Sequence, residues 1–290
     1  MANDSICRFM FENLGIRGEI VRLEHSYQTA LDRHPYPPAL AQLLGQAMAA
    51  ITLLGTTIKY AGKLTLQVQG SGPVNLLIVE YDSERHIRGL INWQKDTFLG
   101  AEIADLFGTG HMAITVDPQD KANRYQGIVE LIEPSLAGCL EHYFKQSEQL
   151  VTCLWLVADA NRVAGFMLQQ MPGIEADGDD WRRIKLLAET LSDDELLNLD
   201  EEELLHRLFY EDDIRLFESE TICFHCTCTR ERIEQMLLNL GKEEINSIVA
   251  EQGSIEVDCE YCNKHYSFDS VDAAKIFTDG NPGFHSETRH

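Results

Sequence analysis

The chain has 290 residues, which is enough for one large domain and a smaller one, and 44% of its residues are hydrophobic. Its 24 Lys and Arg residues stand against 47 Asp and Glu residues, so the formal net charge is −23. Nucleic acids and anionic lipid surfaces attract basic protein surfaces. The charge therefore argues against a nucleic-acid partner and against docking on a membrane.

The N-terminal segment lacks a basic stretch followed by an apolar one, so we predict no secretory signal and a cytoplasmic protein. One long uncharged stretch runs from residue 35 to residue 58. Polar residues such as Gln42, Gln46 and Thr52 interrupt it, which favours a buried amphipathic helix over a membrane span.

The first region, residues 1–178, is predicted to be an antiparallel-sheet domain with packed helices. Strand-like runs occur at residues 9–11, 18–23, 64–68, 74–81, 87–93, 112–116, 124–132, 151–158 and 163–171. Helical spacing of apolar residues covers 39–58, and a second helix is predicted to begin at Pro134. Clustered antiparallel strands with a few helices indicate the α+β class.

The second region, residues 179–222, holds fifteen acidic and five basic side chains, a net charge of −10. Its pattern is nevertheless helical. Ser192 with Glu195, and Asp200 with Glu203, are spaced as capping boxes that begin two helices. Such helices need a partner surface, and like charges weaken them further. The pattern fits an ordinary helical subdomain with an acidic face, or a conditionally stable linker.

The third region, residues 223–290, is too small and too polar to fold without a staple, and we expect its tail to be disordered. It contains a C-x-C and a C-x-x-C motif, separated by a predicted helix over 230–240 and a predicted strand over 254–257. Two such pairs supply four thiolates, which suits one tetrahedral zinc ion per chain. The predicted ligands are Cys226, Cys228, Cys259 and Cys262. Structural zinc contributes about 10–16 kcal/mol, so loss of the metal should unfold this region.

Several alternatives remain open at this site. Cys223 forms a C-x-x-C with Cys226 and is an extra thiol that could compete with Cys228, while His225 and His265 are further candidate ligands. The metal could be an inert staple. It could also be a sensor, because zinc-bound thiolates react with oxidants and a C-x-C disulfide would be strained and reversible.

The segments that contain the two cysteine motifs also resemble a known protein family. Cys226-Thr-Cys-Thr-Arg-Glu-Arg232 and Ile255-Glu-Val-Asp-Cys-Glu-Tyr-Cys-Asn263 resemble the zinc centre of the 33 kDa chaperonin family of redox-regulated chaperones. The similarity continues through the N-terminal region in segments 14–20, 70–73, 124–129 and 136–144.

This resemblance implies a holdase rather than an enzyme, inactive while reduced and zinc-bound. Oxidation would form two disulfides, Cys226–Cys228 and Cys259–Cys262, release zinc and unfold the zinc module and the linker. The active form would dimerise and hold unfolding client proteins without ATP, under oxidative and heat stress. The position of residues 179–222 matches the family's linker, which favours the conditionally stable interpretation. Cys223 is an addition to the family pattern and leaves the pairing open.

Two rival functions use the same cysteines. A thiol–disulfide oxidoreductase would use Cys259 and Cys262, but a predicted strand precedes this motif, and a thioredoxin-type thiol needs a helix N-terminus. A zinc-ribbon interaction module would keep its metal for purely structural reasons. The isolated Cys7, Cys139 and Cys153 are predicted to be buried hydrophobic residues.

Overall fold

A computed structural model of the protein describes residues 4–56, 61–95, 97, 100, 102–119, 124–171 and 178–279. The chain divides into two compact units, Met1–His225 and Cys226–His290. Sheets and helices are mixed, so the predicted α+β class is confirmed. The helix predicted over 39–58 ends at Gly55, with Thr56 as its C-cap, so the predicted end was too late. The predicted disordered tail lies outside the described residues. The boundaries of the three predicted regions stay predictions.

The first unit contains twelve strands within the described ranges. They are β1 (Ser5–Phe11), β2 (Ile16–Leu23), β3 (Gly62–Gly70), β4 (Val74–Asp82), β5 (His86–Trp93), β6 (Gly110–Pro118), β7 (Tyr125–Glu130), β8 (Thr152–Ala158), β9 (Val163–Gln170), β10 (Ile214–Leu216), β11 (Glu220–Thr221) and β12 (Cys223–Phe224). Its helices are α1 (His25–Leu31), α2 (Pro38–Gly55), α3 (Ile103–Phe107), α4 (Leu136–Tyr143), α5 (Gly178–Ala188), α6 (Asp193–Asn198) and α7 (Glu201–Phe209), with a π-helical turn at Phe144–Glu148.

The second unit is smaller and, in its described residues, combines three helices with a two-stranded sheet. Its elements are α8 (Arg230–Leu240), α9 (Lys242–Gln252), β13 (Ile255–Asp258), β14 (His265–Phe268) and α10 (Ser270–Asp279). The predicted helix 230–240 is confirmed. Sequence patterns did not predict α9 and α10.

Two six-stranded sheets organise the first unit. The first sheet has the order β10-β1-β2-β9-β8, with β11 also paired to β1, and the second has the order β12-β5-β4-β3-β6-β7. All pairs are antiparallel except β12 with β5. The segment that follows α7 therefore adds short strands to both sheets.

Helix α2 lies between the two sheets and contacts strands of both. Pro38 stands at its first turn, where the missing N–H costs nothing. Leu44, Met48 and Ile51 are fully buried. By length and hydropathy α2 would be long enough to cross a membrane, but 67% of it is buried inside the protein. The prediction of a buried core helix is confirmed.

The first sheet is buried on both faces, because alternate side chains of a strand point to opposite sides. Its inner face packs on α2. The outer face is covered by the acidic helices α5, α6 and α7. The buried apolar residues of this outer face are Phe9, Phe11, Ile16, Ile20, Val157, Ala164, Phe166 and Leu168.

Aromatic rings join the outer face to α7. Phe9 stacks on Phe166 with ring centroids 5.6 Å apart, and Phe11 meets Phe209 of α7 edge to face at 5.0 Å. Gly18 faces Phe9 across the β1–β2 ladder. A Cβ at Gly18 would lie 2.0 Å from the Phe9 ring, so the glycine makes the space that the ring fills.

The ends of the helices follow their capping residues. Ser192 forms the full predicted capping box with Glu195. The Asp200 side chain accepts from the Glu203 N–H, but the Glu203 carboxylate accepts no bond from the Asp200 N–H, so only half of the predicted box forms. Helix α4 begins at Leu136 and not at Pro134, because the Ser135 hydroxyl accepts from the Gly138 N–H and sets the first turn.

A carboxyl group is buried in the first sheet. Glu19 of β2 is 1% exposed and accepts a hydrogen bond from the Thr56 hydroxyl. Burial raises the pKa of Glu19 to about 7, against the lowering effects of Thr56, Arg17 and Arg8. The folded state therefore binds this proton more tightly than the unfolded state does, between the ordinary pKa and about pH 7.

We expect this group to make the first unit less stable as pH rises from about 4.5 to about 7, because the unfolded chain ionises first. Glu19→Gln should remove that loss and raise the free energy of unfolding above pH 7 by about 3 kcal/mol, with little change at pH 4. Urea unfolding at a series of pH values measures it through Trp93, Trp155 and Trp181, which all lie in the first unit. Glu202→Gln on an exposed position is the control, and equal pH profiles for both variants would contradict the assignment.

Candidate metal centre

Four cysteine sulfurs meet in the second unit. All lie within 4.8 Å of one another, and they belong to Cys226, Cys228, Cys259 and Cys262. The Sγ atoms of Cys226 and Cys259 are 3.6 Å apart, and those of Cys228 and Cys262 are 3.3 Å apart. A tetrahedral zinc ion with 2.3 Å bonds would place its sulfur ligands about 3.8 Å apart. The four sulfurs thus have the spacing and chemistry of a tetrahedral thiolate site.

A tight turn holds Cys259 and Cys262. The backbone N–H groups of Cys262 and Asn263 both donate to the Cys259 carbonyl, at 3.2 and 2.7 Å. Asn263 adopts φ 53°, a left-handed conformation that asparagine tolerates. This turn links β13 to β14. The other pair directly precedes α8, whose first turn is capped by the Thr229 hydroxyl accepting from the Arg232 N–H at 3.3 Å.

The core beside the centre is small. Its buried residues are Leu237, Ile245, Ile255, Tyr266, Phe268, Ala273 and Ile276. Arg230 closes one side, with its guanidinium carbon 4.2 Å from the centroid of the Phe268 ring and an ion pair to Asp272 at 2.7 Å. So few buried residues fall short of what an independent domain usually needs, which agrees with a metal staple.

The thiols differ in their readiness to ionise. Burial alone would raise the pKa of Cys228, but hydrogen bonds from the Tyr266 hydroxyl and from neighbouring thiols lower it to about 7. The Tyr266 hydroxyl lies 3.3 Å from the Cys228 sulfur and 3.1 Å from its carbonyl oxygen. Burial raises the pKa of Cys259 and Cys262. Full ionisation of the cluster therefore calls for a cation, and Tyr266 is a supporting residue that the sequence analysis missed.

The other candidate ligands lie elsewhere. Cys223 is exposed on β12, where its N–H donates to the Arg85 carbonyl, and it is outside the four-sulfur group. The rings of His225 and His86 lie 4.4 Å apart, tilted by 30°. His265 pairs with Asp258 at 2.7 Å and with Glu256 at 2.8 Å. The hydrogen bond to Asp258 is the main cause that raises the pKa of the His265 imidazole.

The surroundings of the C-x-x-C motif bear on the oxidoreductase alternative. Cys259 follows strand β13, and strand β14 comes after Cys262, so no described helix begins at the motif. Cys7, Cys139 and Cys153 are buried, as predicted, and burial raises the pKa of each thiol. In contrast, the Cys228 thiol in the four-sulfur cluster has a lowered pKa.

Nearly the whole chain matches known proteins. A family model described as Hsp33 protein matches residues 4–269. A relative from Nitrosococcus oceani, named 33 kDa chaperonin, is 47% identical over 287 residues, covering 99% of each chain. A relative of the same name from Shewanella sp. strain MR-4 is 43% identical over 280 residues, covering 97% of this chain and 98% of its own.

A solved structure agrees at the level of the fold. The crystal structure of a 33 kDa chaperonin (heat shock protein 33 homolog) from Thermotoga maritima has a TM-score of 0.84 at 23% identity, and the match covers 96% of this chain and 100% of that chain. The family model and the sequence identity of the relatives show common descent in addition to a shared fold. The chain belongs to the Hsp33 family of 33 kDa chaperonins.

Proposed function

We propose that this protein is an oxidation-activated, ATP-independent holdase that protects unfolding proteins from aggregation under oxidative and heat stress. The names of its relatives support a chaperone, and the four-sulfur cluster supports redox control. One observation carries the proposal: a large aromatic sheet face is buried beneath an acidic helical segment. Such a face is a natural binding surface for unfolded chains once it is uncovered.

The metal of this proposal is zinc, one per chain, held by the four clustered cysteines when reduced. Their sulfur-only donor set and tetrahedral spacing favour zinc among common divalent cations. Bound zinc would neutralise the four thiolates and staple the small core of the second unit. Tyr266 orients Cys228 by donating its hydroxyl hydrogen.

Oxidation would dismantle this set of ligands. Peroxide takes two electrons from each pair of thiols, which yields one disulfide and two water molecules. We propose the pairs Cys226–Cys228 and Cys259–Cys262, as the family resemblance implies. Disulfide sulfur is a poor metal ligand, because metals bind the thiolate. The second unit then loses about 10–16 kcal/mol of metal stabilisation, more than its small core can replace.

The linker masks the sheet face in the reduced state. Helices α5, α6 and α7 cover the outer face with the apolar side chains Ile184, Leu196, Leu204, Leu208 and Phe209. Their remaining surface is strongly acidic and repels itself. The linker is therefore stable only while its apolar stripes are buried, and detachment exposes the aromatic outer face to clients.

Arg22 makes the polar contacts that attach the end of α6 to the first sheet. Its guanidinium donates to the carbonyls of Leu196, at 2.8 Å, and of Leu199, and to the Glu201 carboxylate at 3.3 Å. These carbonyls close the C-terminal end of α6, where helix carbonyls lack partners within the helix. Arg162 reaches the neighbouring Leu197 carbonyl at 3.4 Å.

The redox state of the thiols and the net charge indicate the compartment and the partners. Thiols stay reduced in the cytoplasm, so we place the protein there, with its clients as partners. We also propose that the activated chain forms a homodimer. The net charge of −23 supports neither nucleic acid nor membrane as a partner.

The first test combines metal release with client protection. Peroxide at mild heat should release about one zinc per chain, and only the oxidised protein should suppress the aggregation of an unfolding client. A metallochromic dye and light scattering measure the two effects on the same samples. If zinc stays bound or both samples behave alike, the site is a structural staple. Catalytic reduction of a model disulfide would favour the oxidoreductase instead.

A second prediction concerns Tyr266. Tyr266→Phe removes the hydrogen bond to Cys228, so zinc affinity should fall by about tenfold, as is usual when a group that supports a metal ligand is lost. Competition with a chelator measures it. Tyr210→Phe, on an exposed residue of the first unit, is the control. Equal affinities for the two variants would remove Tyr266 from the metal centre.

A third prediction tests the linker. Arg22→Met should weaken linker docking by about 2 kcal/mol, so that the linker opens about thirtyfold more often. Cys7 reports the opening, because it is 1% exposed and its thiol donates to the Phe217 carbonyl at 3.2 Å. Alkylation of reduced, zinc-loaded protein, followed by mass spectrometry, should show faster labelling of Cys7.

The matched control is Arg17→Met, since Arg17 lies on the same strand and bonds to Gln169 of β9 instead of the linker. Cys139, buried in α4, is an internal reference. Equal labelling of Cys7 in the two variants would show that Arg22 does not fasten the linker.

A further inference from the structure

A cavity of about 170 Å³ opens on the first unit beside the C-terminal end of α2. Its described walls come from α2, from strands β1, β3, β4, β6 and β11, and from the turn between β4 and β5. Three basic side chains line it, Arg8, Lys63 and Arg85. The net charge of −23 repels anions at long range, so a group of cations in one cavity calls for a local explanation.

Some of the charges around the cavity are matched by neighbours on the same strands. Lys63 of β3 donates to the Glu80 carboxylate of β4 at 2.7 Å. Asp82 accepts from two backbone N–H groups in the turn that follows β4, at 2.9 and 3.0 Å, so its carboxylate shapes that turn. The cations of the cavity that remain to be matched are Arg8 and Arg85.

Glu220 of β11 pairs with both of these arginines. Its Oε1 accepts from Arg8 at 2.7 Å, and its Oε2 accepts from Arg85 at 2.9 Å. In the part of the chain that the structure describes, these are the ion pairs of the two guanidinium groups. Arg8 and Arg85 belong to the two sheets, whereas Glu220 belongs to the acidic linker. The two arginines thus form a clamp for an oxyanion, and a linker side chain occupies it.

Tyr81 offers a further polar group to the same cavity. The residue is 5% exposed and lines the cavity, and its hydroxyl makes no hydrogen bond to another described residue. Burial raises the pKa of Tyr81, Arg85 lowers it, and Glu220 raises it, so the hydroxyl lies among the charges of the clamp. A buried phenol usually has a hydrogen-bond partner. This one is a donor for an additional ligand oxygen.

We infer that the cavity binds phosphate, free or as the phosphate group of a small molecule, between Arg8 and Arg85 when Glu220 leaves. Phosphate carries about two negative charges and has more acceptor oxygens than a carboxylate. It can therefore serve both guanidinium groups, which bind phosphate through paired N–H donors, and the Tyr81 hydroxyl as well. The inference rests on the proposed function in one respect, because detachment of the linker is what removes Glu220.

Phosphate and Glu220 compete for the same two arginines. A ligand that binds only the form without docked Glu220 shifts the equilibrium toward that form as its concentration rises. Phosphate would therefore favour detachment of β11. The coupling is reciprocal, so a chain with a detached linker binds phosphate more tightly than one with a docked linker.

Glu220→Gln tests the site in reduced, zinc-loaded protein, where no oxidation is involved. The substitution removes the competing charge, so the affinity for inorganic phosphate should rise at least about tenfold. Titration calorimetry of the full chain at constant ionic strength measures it. Glu12→Gln is the matched control, because Glu12 pairs with Arg215 of β10 and lies outside the cavity. Equal phosphate affinities for the two variants would overturn the inference.

Arg85→Met, added to Glu220→Gln, should lower the phosphate affinity at least about tenfold, because one guanidinium group is left to bind the anion. Arg182→Met in the same background is the control, since Arg182 is an exposed arginine of α5 that pairs with Asp179. Circular dichroism verifies the fold of each variant. If Arg85→Met leaves the affinity unchanged, phosphate binds elsewhere and the assignment is wrong.

Separate titrations with inorganic phosphate, glycerol phosphate and acetate identify the ligand class. Tighter binding of the ester assigns the cavity to a phosphorylated small molecule, and tighter binding of the inorganic ion assigns it to free phosphate. Acetate that binds as tightly as either would overturn the assignment to phosphate.

Client aggregation, measured on the wild-type protein, keeps the two proposals apart. If the oxidised protein protects clients and phosphate affinity ignores Glu220 and Arg85, the phosphate site fails alone. If no sample protects clients but both substitutions change the phosphate affinity as expected, the holdase proposal fails and the phosphate site stands.

Discussion

The architecture depends on one burial: the outer face of the first sheet has to be covered. Phe9, Phe11 and Phe166 lie on that face at no more than 1% exposure. A sheet with two apolar faces needs a layer on each. Helix α2 supplies the inner layer from within the domain. The outer layer is formed by residues 179–222, whose net charge is −10. Short helices of this kind are marginally stable alone, so packing on the sheet stabilises them.

The two units have opposite sources of stability. The first has a large apolar core, with α2 enclosed between sheets. The described part of the second unit, residues 226–279, has a core cluster of seven buried residues and a group of four sulfurs. Apolar burial does not respond to peroxide, whereas thiolates do. In our proposal, the oxidation that matters for stability thus takes place in the unit that lacks an adequate core.

The sequence predicted those features that depend on local periodicity or on spacing. Strands β1 to β9, α2 and the Ser192 capping box all follow from such patterns, and so does the grouping of four cysteines. Features that depend on distant partners escaped prediction. Strands β10, β11 and β12 have only two or three residues, too few for a period, and exist because β1 and β5 offer an edge.

The supporting side chains were missed for the same reason. Tyr266 meets Cys228 across 38 positions, and Arg22 meets Leu196 across 174. An alternating strand pattern shows that Tyr266 points inward, but not what its hydroxyl touches. The Asp200 box was half right, because spacing shows that a bond is possible without showing that the Glu203 side chain makes it.

Three short strands follow α7 and attach the chain to both sheets. Strand β10 pairs three residues with β1, β11 pairs two, and β12 pairs two with β5. Glu220 on β11 is gripped by Arg8 at 2.7 Å and Arg85 at 2.9 Å. Each short strand thus makes only a small contact, whereas the aromatic cluster beneath α7 is large. In our proposal, detachment that starts at the C-terminal end would break these short contacts first and the aromatic contacts last, so brief fraying would be reversible and only a sustained loss would uncover the sheet.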